Sequence, residues 1–199
     1  MKRIITVALA LLMSVGAFAE GFGIVGGYTS SQLKLKDTNL KGCAGVHAGF
    51  AYNVPLGAGF AFQPELIYNV KGYNWEGDTD ASALKEKAKC GYVEVPLQLQ
   101  WGLDLVMLRP YVFAEPFAGF AVKGKQILTA GETTINWDNA KSRLEYGFGL
   151  GAGLEVYNRV QLSFKYFWNL EDATQWAEVN NRIKSKNISG IVFTAGIFF

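Results

Sequence analysis

The chain has 199 residues, a length that fits one domain, and it combines 50% hydrophobic side chains with 14% aromatic residues and 23 glycines. Lys2 and Arg3 belong to a predicted signal segment. When these two are set aside, 17 of the 19 basic residues remain, and they balance the 17 acidic residues. The near-neutral net charge excludes a strongly basic nucleic-acid surface, and the low-charge, glycine-rich and aromatic-rich composition is unusual for a cytosolic helical enzyme.

The first 19 residues have the pattern of a secretory signal peptide. Lys2 and Arg3 precede the apolar run Ile4–Met13, and Ala17-Phe18-Ala19 is a small-x-small cleavage site. No cysteine follows that site, which argues against a lipid anchor. We therefore predict a signal peptide over 1–19 and an exported domain over 20–199, in a compartment that permits disulfides.

Beyond residue 19 the chain repeats about ten residues of apolar–polar alternation followed by a turn or a polar segment, which is typical of membrane-spanning strands. No stretch reaches the roughly 18 apolar residues that a membrane-spanning helix needs. In chain order the predicted strands are Gly21–Gln32, Cys43–Val54, Gly59–Tyr73, Lys89–Leu103, Met107–Lys123, Ser142–Tyr157, Val160–Trp168 and Asn187–Phe199.

The connections between these strands alternate in length. Pro55-Leu56-Gly57, the turn near Asp104 and Tyr157-Asn158-Arg159 are short, whereas 33–42, 74–88, 124–141 and 169–186 are long and polar. Outer-membrane barrels place short turns at the periplasmic side and long loops outside. The alternation therefore predicts an up-and-down arrangement with both termini in the periplasm.

The sixth predicted strand shows which face meets lipid. One face carries large apolar residues such as Leu150 and Leu154, while the other carries Glu145, Glu155 and the glycines between them. A narrow eight-strand lumen must be filled by its own side chains, so the small and polar face points inward and the apolar face meets lipid. We therefore expect an all-β fold, a closed antiparallel up-and-down transmembrane β-barrel of eight strands.

The same alternation points charged side chains of both signs into the lumen. Unpaired charges there would each cost several kcal/mol on the order of an effective desolvation penalty, so a network of ion pairs is expected. The expected members are Glu65, Lys71, Glu94, Arg109, Glu115, Arg143, Glu145, Glu155 and Lys165. These residues either fill and neutralise the lumen or form a path for protons or ions.

Three residues could carry other chemistry. Cys43 and Cys90 lie at predicted outer strand ends with inward parity, so they are a candidate disulfide, although one strand lies between them and reduced thiols remain an alternative. His47 is the single histidine, which makes a metal site improbable, and no motif places it beside a nucleophile and an acid. We expect no cofactor, no metal and no catalytic residue.

Several stretches resemble the bacterial outer membrane protein beta-barrel domain family, often labelled porin family protein and related in architecture to small OmpA/OmpX-type barrels. The resemblance covers nearly all of the exported chain, and the terminal Phe199 resembles the signal read by the barrel-assembly machinery. The matching stretches are Phe60–Tyr73, Tyr92–Gln100, Arg109–Phe120, Tyr146–Glu155 and the final TAGIFF, and the in-strand prolines fit the family pattern.

Three functions remain open at this point. The first is a structural or interaction barrel with a plugged lumen, which binds through its long outer loops; the second is a narrow channel for small solutes or ions; an outer-membrane enzyme is a distant third. The expected partners are outer-membrane lipid, the barrel-assembly machinery and a possible extracellular ligand at the loops. Nucleic acid is not expected, and the barrel is expected to be a monomer.

Overall fold

The computed structural model describes residues 21–34, 41–76, 85–128, 131–134, 143–170 and 186–199. The predicted signal peptide lies outside these residues and stays a prediction. The strands are β1 Phe22–Lys34, β2 Lys41–Tyr52, β3 Val54–Gly57, β4 Phe60–Glu76, β5 Lys85–Gly102, β6 Leu108–Leu128, β7 Gly131–Thr134, β8 Leu144–Val156, β9 Val160–Asn169 and β10 Lys186–Phe198. Among the described residues, no helix is long and apolar enough to cross a membrane.

These strands close into one antiparallel ring. The pairing runs β2, β1, β10, β9, β8, β6, β5, β4, and an additional pairing between β2 and β4 closes the sheet. Because β3 continues β2 along the same side of β4, the two form a single wall, and β7 pairs only with β6 beyond the ring. The predicted eight-stranded up-and-down barrel is confirmed.

Alternate side chains point outward and inward along every wall. On β8, Leu150 is 49% exposed, whereas its neighbour Gly149 is buried. The outward set is almost entirely large and apolar, and it includes Phe50, Leu66, Val95, Leu99, Val112, Leu150, Phe164, Phe193 and Ile197. Closure pairs the backbone groups of the walls with one another, which is the condition for a sheet to stand in hydrocarbon.

Two of the in-strand prolines lie where the pairing is interrupted. Pro64 faces the break between β2 and β3, and the β5–β6 ladder skips two positions opposite Pro116. Register is unchanged across both interruptions, so the inward parity of the residues on either side is preserved. The missing proline donors are thus accommodated by local gaps in the ladder rather than by a slip of the sheet.

The strands extend further at one end of the barrel than at the other. We call the end that carries the short connections, Phe22 and Phe199 the turn end, and the other the loop end. At the loop end β4, β5 and β6 extend three to five residues beyond the predicted boundaries Tyr73, Lys89 and Lys123, and β7 lies inside the predicted loop 124–141. Beyond the lipid both faces of a strand meet water, so the apolar alternation stops although backbone pairing continues.

Candidate functional site: the filled lumen and its two mouths

Aromatic rings from β6 fill the space that inward glycines of β8 leave open. Cross-strand pairing places Phe113 opposite Gly151 and Tyr111 opposite Gly153. A Cβ added to Gly151 would stand 2.5 Å from Cζ of Phe113, and one added to Gly153 would overlap the ring of Tyr111. Both rings are buried. The glycines therefore make room for neighbouring rings and do not widen the lumen.

Near the loop end, Lys71 is enclosed by carboxylates and rings. Its Nζ lies 2.9 Å from Oε1 of Glu94 and 2.9 Å from Oε1 of Glu145, and all three side chains are at most 6% exposed. The same nitrogen lies 4.4 Å from the ring centre of Phe117 and 4.8 Å from that of Phe167. A single cation is thus held by two anions and by the faces of two aromatic rings.

Gly119 permits the close approach of the two carboxylates. It lies on β6 between the strands that carry Glu94 and Glu145, and a Cβ there would stand 2.8 Å from Cγ of Glu94 and 3.0 Å from Cγ of Glu145. A larger residue at this position would push the two side chains apart and open the pocket around Lys71.

Amides and hydroxyls extend this arrangement across the lumen. Asn69 Nδ2 donates to Oε2 of Glu94 at 3.2 Å, and Asn169 Nδ2 donates to Oε2 of Glu145 at 2.8 Å. Thr29 Oγ1 donates to Oδ1 of Asn69 at 3.0 Å and lies 3.2 Å from Nδ1 of His47. Oγ1 of Thr194 lies 3.1 Å from Nε2 of the same histidine. We call the resulting set the loop-end network: Thr29, His47, Asn69, Lys71, Glu94, Glu145, Asn169 and Thr194.

A separate ion pair lies further toward the turn end. Lys165 of β9 contacts Glu115 of β6, and both side chains are buried. The register places Glu115 opposite Gly149, and the side chain of Lys165 passes over that glycine at ordinary van der Waals distance. This pair joins opposite charges in the middle of the lumen, between the two larger networks.

The turn-end network is built on amides and on Arg109. Glu65 Oε1 accepts hydrogen bonds from Gln63 at 2.8 Å and from Gln98 at 2.9 Å, and Gln100 donates to Gln63 at 3.1 Å. Arg109 Nη1 donates to Oε1 of Gln100 at 3.1 Å, which joins the glutamines to the charged mouth. The turn-end network comprises Asn53, Gln63, Glu65, Gln98, Gln100, Asp104, Arg109, Glu155 and Gln161.

Arg109 spreads its charge over several acceptors at this mouth. Nε lies 3.1 Å from Oδ1 of Asp104, Nη2 donates to the carbonyl of Gly59 at 3.1 Å, and Nη1 lies 3.6 Å from Oε2 of Glu155. On the turn-end side of these groups the lumen widens into a vestibule of about 580 Å³ that opens at the turn end. The vestibule is lined by Asn53, Asp104, Arg109, Glu155, Arg159 and Gln161 together with apolar side chains such as Phe198.

The charged residues expected in the lumen fall into these layers. Seven of them are buried inside the barrel: Glu65, Lys71, Glu94, Arg109, Glu115, Glu145 and Lys165. Glu155 is half-buried at the vestibule, where Gln161 donates to it at 2.7 Å. Arg143 is half-buried at the loop end, and its backbone carbonyl accepts a hydrogen bond from the amide of Ala121 at 2.8 Å.

The candidate disulfide is not formed in the structure. Both thiols are buried, with Sγ of Cys43 3.8 Å from the carbonyl of Ala44 and Sγ of Cys90 3.9 Å from the carbonyl of Gly91. Cys90 pairs in register with Lys71 of β4, and Cys43 lies on β2 at the opposite side of that strand. Two strand spacings of about 4.8 Å exceed the roughly 7 Å that a disulfide allows between Cα atoms.

Sequence reasoning missed the apolar part of the lumen. Tyr92, Phe113, Phe117 and Phe167 share the inward parity of the charged residues and are buried beside them. The feature that could have revealed these rings is the pairing of large rings on one strand with glycines on the next strand. That pairing becomes visible only once the register is known. At the turn end Phe198 packs inward with Val25, Ala51 and Ile67, while the neighbouring Phe199 points outward and is exposed.

Comparison with known protein families gives one match that spans most of the chain. A family model described as outer membrane protein beta-barrel domain matches residues 20–175. A search of curated proteins found no match.

Three solved structures illustrate the folds to which this chain is similar. Ail, the attachment invasion locus protein of Yersinia pestis in complex with the heparin analogue sucrose octasulfate, is 17% identical, with 90% of this chain and 98% of that chain covered and a TM-score of 0.46. Neisserial surface protein A is 14% identical, with coverage of 89% and 95% and a TM-score of 0.47. The outer membrane protein OprG from Pseudomonas aeruginosa is 13% identical, with coverage of 91% and 96% and a TM-score of 0.45.

Proposed function

Because the chain belongs to the outer membrane protein beta-barrel domain family and is an outer-membrane protein, we propose that it is a plugged barrel that acts through its loop end rather than through its lumen. The observation that carries this proposal is the layer around Lys71. There one ammonium, two carboxylates and two aromatic rings occupy the cross-section, and side chains of β1, β2, β4 and β9 extend the layer across the lumen.

The filling of the lumen supports this proposal in two further ways. The rings of Tyr111, Phe113 and Phe117 cover the inward glycines of β8, which would otherwise leave open space in the lumen. The Lys165–Glu115 pair adds a second charged layer below. A solute crossing the barrel would have to break buried ion pairs, which is costly because each separated charge would remain desolvated.

The loop end supplies a surface on which a partner could bind. The β4–β5 ladder continues to Glu76 and Lys85, and the β6–β7 ladder pairs Gln126 with Thr133. These pairings extend the sheet beyond the ring on one side of the barrel and hold the predicted loops 74–88 and 124–141 on paired strands. Rigid elements of this kind commonly present binding loops. We therefore propose that the loop end binds an extracellular ligand.

A narrow channel is the second candidate, and the vestibule favours it. Its volume of about 580 Å³ admits water and small solutes from the turn end as far as Arg109 and Glu155. Conduction would then require the side chains around Lys71, which fill the lumen nearer the loop end, to move aside. The plugged barrel requires no such rearrangement.

We do not propose an enzymatic function. His47, the single histidine, hydrogen-bonds with the hydroxyls of Thr29 and Thr194 and is buried in the lumen. A hydrolytic site would need this imidazole to orient a nucleophile toward an accessible substrate. The two threonine partners and the burial of His47 support a structural role for this residue within the loop-end network.

The remaining features of the proposal concern biogenesis and orientation. We propose that the segment 1–19 is removed on export, that both termini face the periplasm, and that the barrel works as a monomer in lipid. We also propose that the barrel-assembly machinery recognises Phe199, and the exposure of this residue at the end of β10 supports that role.

Single-channel conductance in a planar bilayer tests the proposal directly. The refolded protein is expected to be silent, whereas the double variant Lys71→Ala with Phe117→Ala is expected to conduct because two members of the layer around Lys71 have lost their side chains. Phe120→Ala is the matched control, since Phe120 lies on the same strand but points outward and is 48% exposed. Discrete conductance steps from the unmodified protein would overturn the plugged barrel in favour of the channel.

A further inference from the structure

The turn between β5 and β6 differs from an ordinary solvent-exposed connection. Residues 103–108 read Leu-Asp-Leu-Val-Met-Leu, so five of six side chains are large and apolar. Leu105 is 59% exposed and Val106 is 101% exposed, and Leu103 and Met107 are also more than half exposed. An apolar cluster of this kind at the rim of a barrel requires a partner that covers it.

The one polar side chain of the turn is directed away from this surface. Asp104 Oδ1 lies 3.1 Å from Nε of Arg109 at the mouth of the vestibule. This ion pair removes the carboxylate from the outward side of the turn. What remains on that side is a continuous apolar surface.

Three backbone hydrogen bonds hold the turn 103–108 in place. The amides of Leu103 and Leu105 donate to the carbonyls of Pro110 and Leu108, each at 3.0 Å, and the carbonyl of Met107 accepts from the amide of Tyr157 at 2.9 Å. The hydroxyl of Tyr157 also lies 3.5 Å from the sulfur of Met107. These bonds leave fewer backbone groups of the turn for solvent to satisfy, which lowers the cost of placing the turn in lipid.

The apolar surface of the turn continues the lipid-facing side of the barrel. On β5 the outward residues Leu99 and Trp101 lead directly to Leu103, and on β6 the outward Val112 leads back to Leu108. Leu103 lies two residues beyond Trp101, which is about 7 Å further along the strand. Tryptophan commonly marks the membrane interface, so the turn extends past the level at which the apolar belt would normally end.

The two other short turns do not share this property. Gly57-Ala58-Gly59 joins β3 to β4 with small residues, all at positive φ. Tyr157-Asn158-Arg159 joins β8 to β9 and is polar after its tyrosine. The apolar belt therefore reaches furthest on the side of β5 and β6.

We propose that the turn 103–108 inserts into the lipid leaflet at the turn end and anchors this side of the barrel there. Its continuity with the lipid-facing belt identifies phospholipid as the occupant of the surface. The leaflet either thickens locally or the barrel tilts so that Leu105 and Val106 remain in the acyl region, as hydrophobic mismatch requires for an apolar belt that is longer than the lipid core. Arg109 contributes by drawing Asp104 inward.

Site-directed fluorescence in vesicles tests this insertion. Val106→Cys, labelled with an environment-sensitive nitrobenzoxadiazole dye, is refolded into phosphatidylcholine vesicles that contain lipids with a doxyl quencher on the acyl chain. We expect blue-shifted emission and strong quenching. The matched controls are Ala58→Cys and Asn158→Cys on the other two turns, which we expect to give water-like emission and weak quenching. The background carries Cys43→Ala and Cys90→Ala, and both leaflets contain the same lipid, so orientation does not affect the readout.

A second measurement covers the case in which that background fails to fold. With both native cysteines retained, the reaction of V106C and A58C with a water-soluble maleimide is compared in folded protein, and the parent chain gives the baseline from the buried thiols. We expect V106C to react many-fold more slowly than A58C in vesicles. Water-like emission at position 106, or equal reaction rates, would overturn the proposal and assign the turn to a protein partner instead.

Discussion

The loop-end and turn-end networks use the same types of residue in opposite surroundings. Lys71 is enclosed by Glu94 and Glu145, whose side chains are almost fully buried, and by two aromatic rings. Arg109 bridges a backbone carbonyl, an amide and two carboxylates at the vestibule, and one of those carboxylates, Asp104, is 70% exposed. The first cation closes the lumen, whereas the second borders an open mouth.

The comparison shows how a narrow barrel separates two tasks of charged residues. An ammonium is a compact charge that two carboxylates can share from opposite strands, while a planar guanidinium distributes its donors over many acceptors. Water can replace a lost partner of Arg109 but has little access to Lys71. Loss of one charge should therefore be severe at the loop end and mild at the turn end.

The largest expected effect is at Lys71. Lys71→Met leaves Glu94 and Glu145 buried without their cation, and we expect the free energy of unfolding to fall by about 3–5 kcal/mol. Urea unfolding in lipid vesicles, followed by the change in electrophoretic mobility of the folded barrel, measures it. The triple variant Lys71→Met with Glu94→Gln and Glu145→Gln removes the stranded charges and should recover much of the loss. No recovery would indicate that packing around the ammonium, and not charge, is decisive.

The next largest effect is expected on the lipid-facing surface of β8. Leu150 lies on the outward face of β8, and Leu150→Arg should cost about 2–4 kcal/mol if this residue is near the bilayer midplane. The matched variant Leu154→Arg lies on the same face four residues nearer the turn end, so its cost should be smaller. The same unfolding measurement compares the two, and an equal cost would contradict the depth assigned to these positions.

A moderate effect is expected where the rings cover glycines. Gly151→Ala brings a Cβ to 2.5 Å from both the ring of Phe113 and the backbone oxygen of Phe164, so one of them must move, and it should cost about 1–3 kcal/mol, as overpacking of a dense core does. Gly149→Ala is the control, because a Cβ there meets Lys165 and two backbone oxygens only at 3.6–3.7 Å. The difference in unfolding free energy between the two variants tests the filled lumen. Equal stabilities would show that the rings of β6 can relax freely and that the lumen is looser than proposed.

The smallest effect is expected at the open mouth. Asp104→Asn removes an exposed partner of Arg109, and such pairs contribute about 0–1 kcal/mol. Urea unfolding at low and high salt should show a small loss that disappears as salt screens the pair. A loss as large as that of Lys71→Met would erase the distinction between the two networks.

The sequence determined the fold because its alternation has one physical solution. Leu150 and Glu145 could share a strand only with lipid on one side and a polar lumen on the other. The same parity assigns Glu94, Glu115 and Lys165 to the inward face, and all three are buried in the structure, since a strand's period of two leaves no alternative once one face is known. The boundaries at the loop end were too short because backbone pairing there continues without an apolar signal.

Tertiary structure decided what neighbouring strands do to one another. Register alone places Phe113 over Gly151 and turns apparent gaps in the lumen into ring-filled contacts, a relation between residues nearly forty positions apart. Closure of the sheet also gave Lys71 two carboxylates from β5 and β8 and left β4 between Cys43 and Cys90. Periodicity depends on each strand separately, but contacts across the lumen depend on the shear of the closed ring, which no single strand encodes.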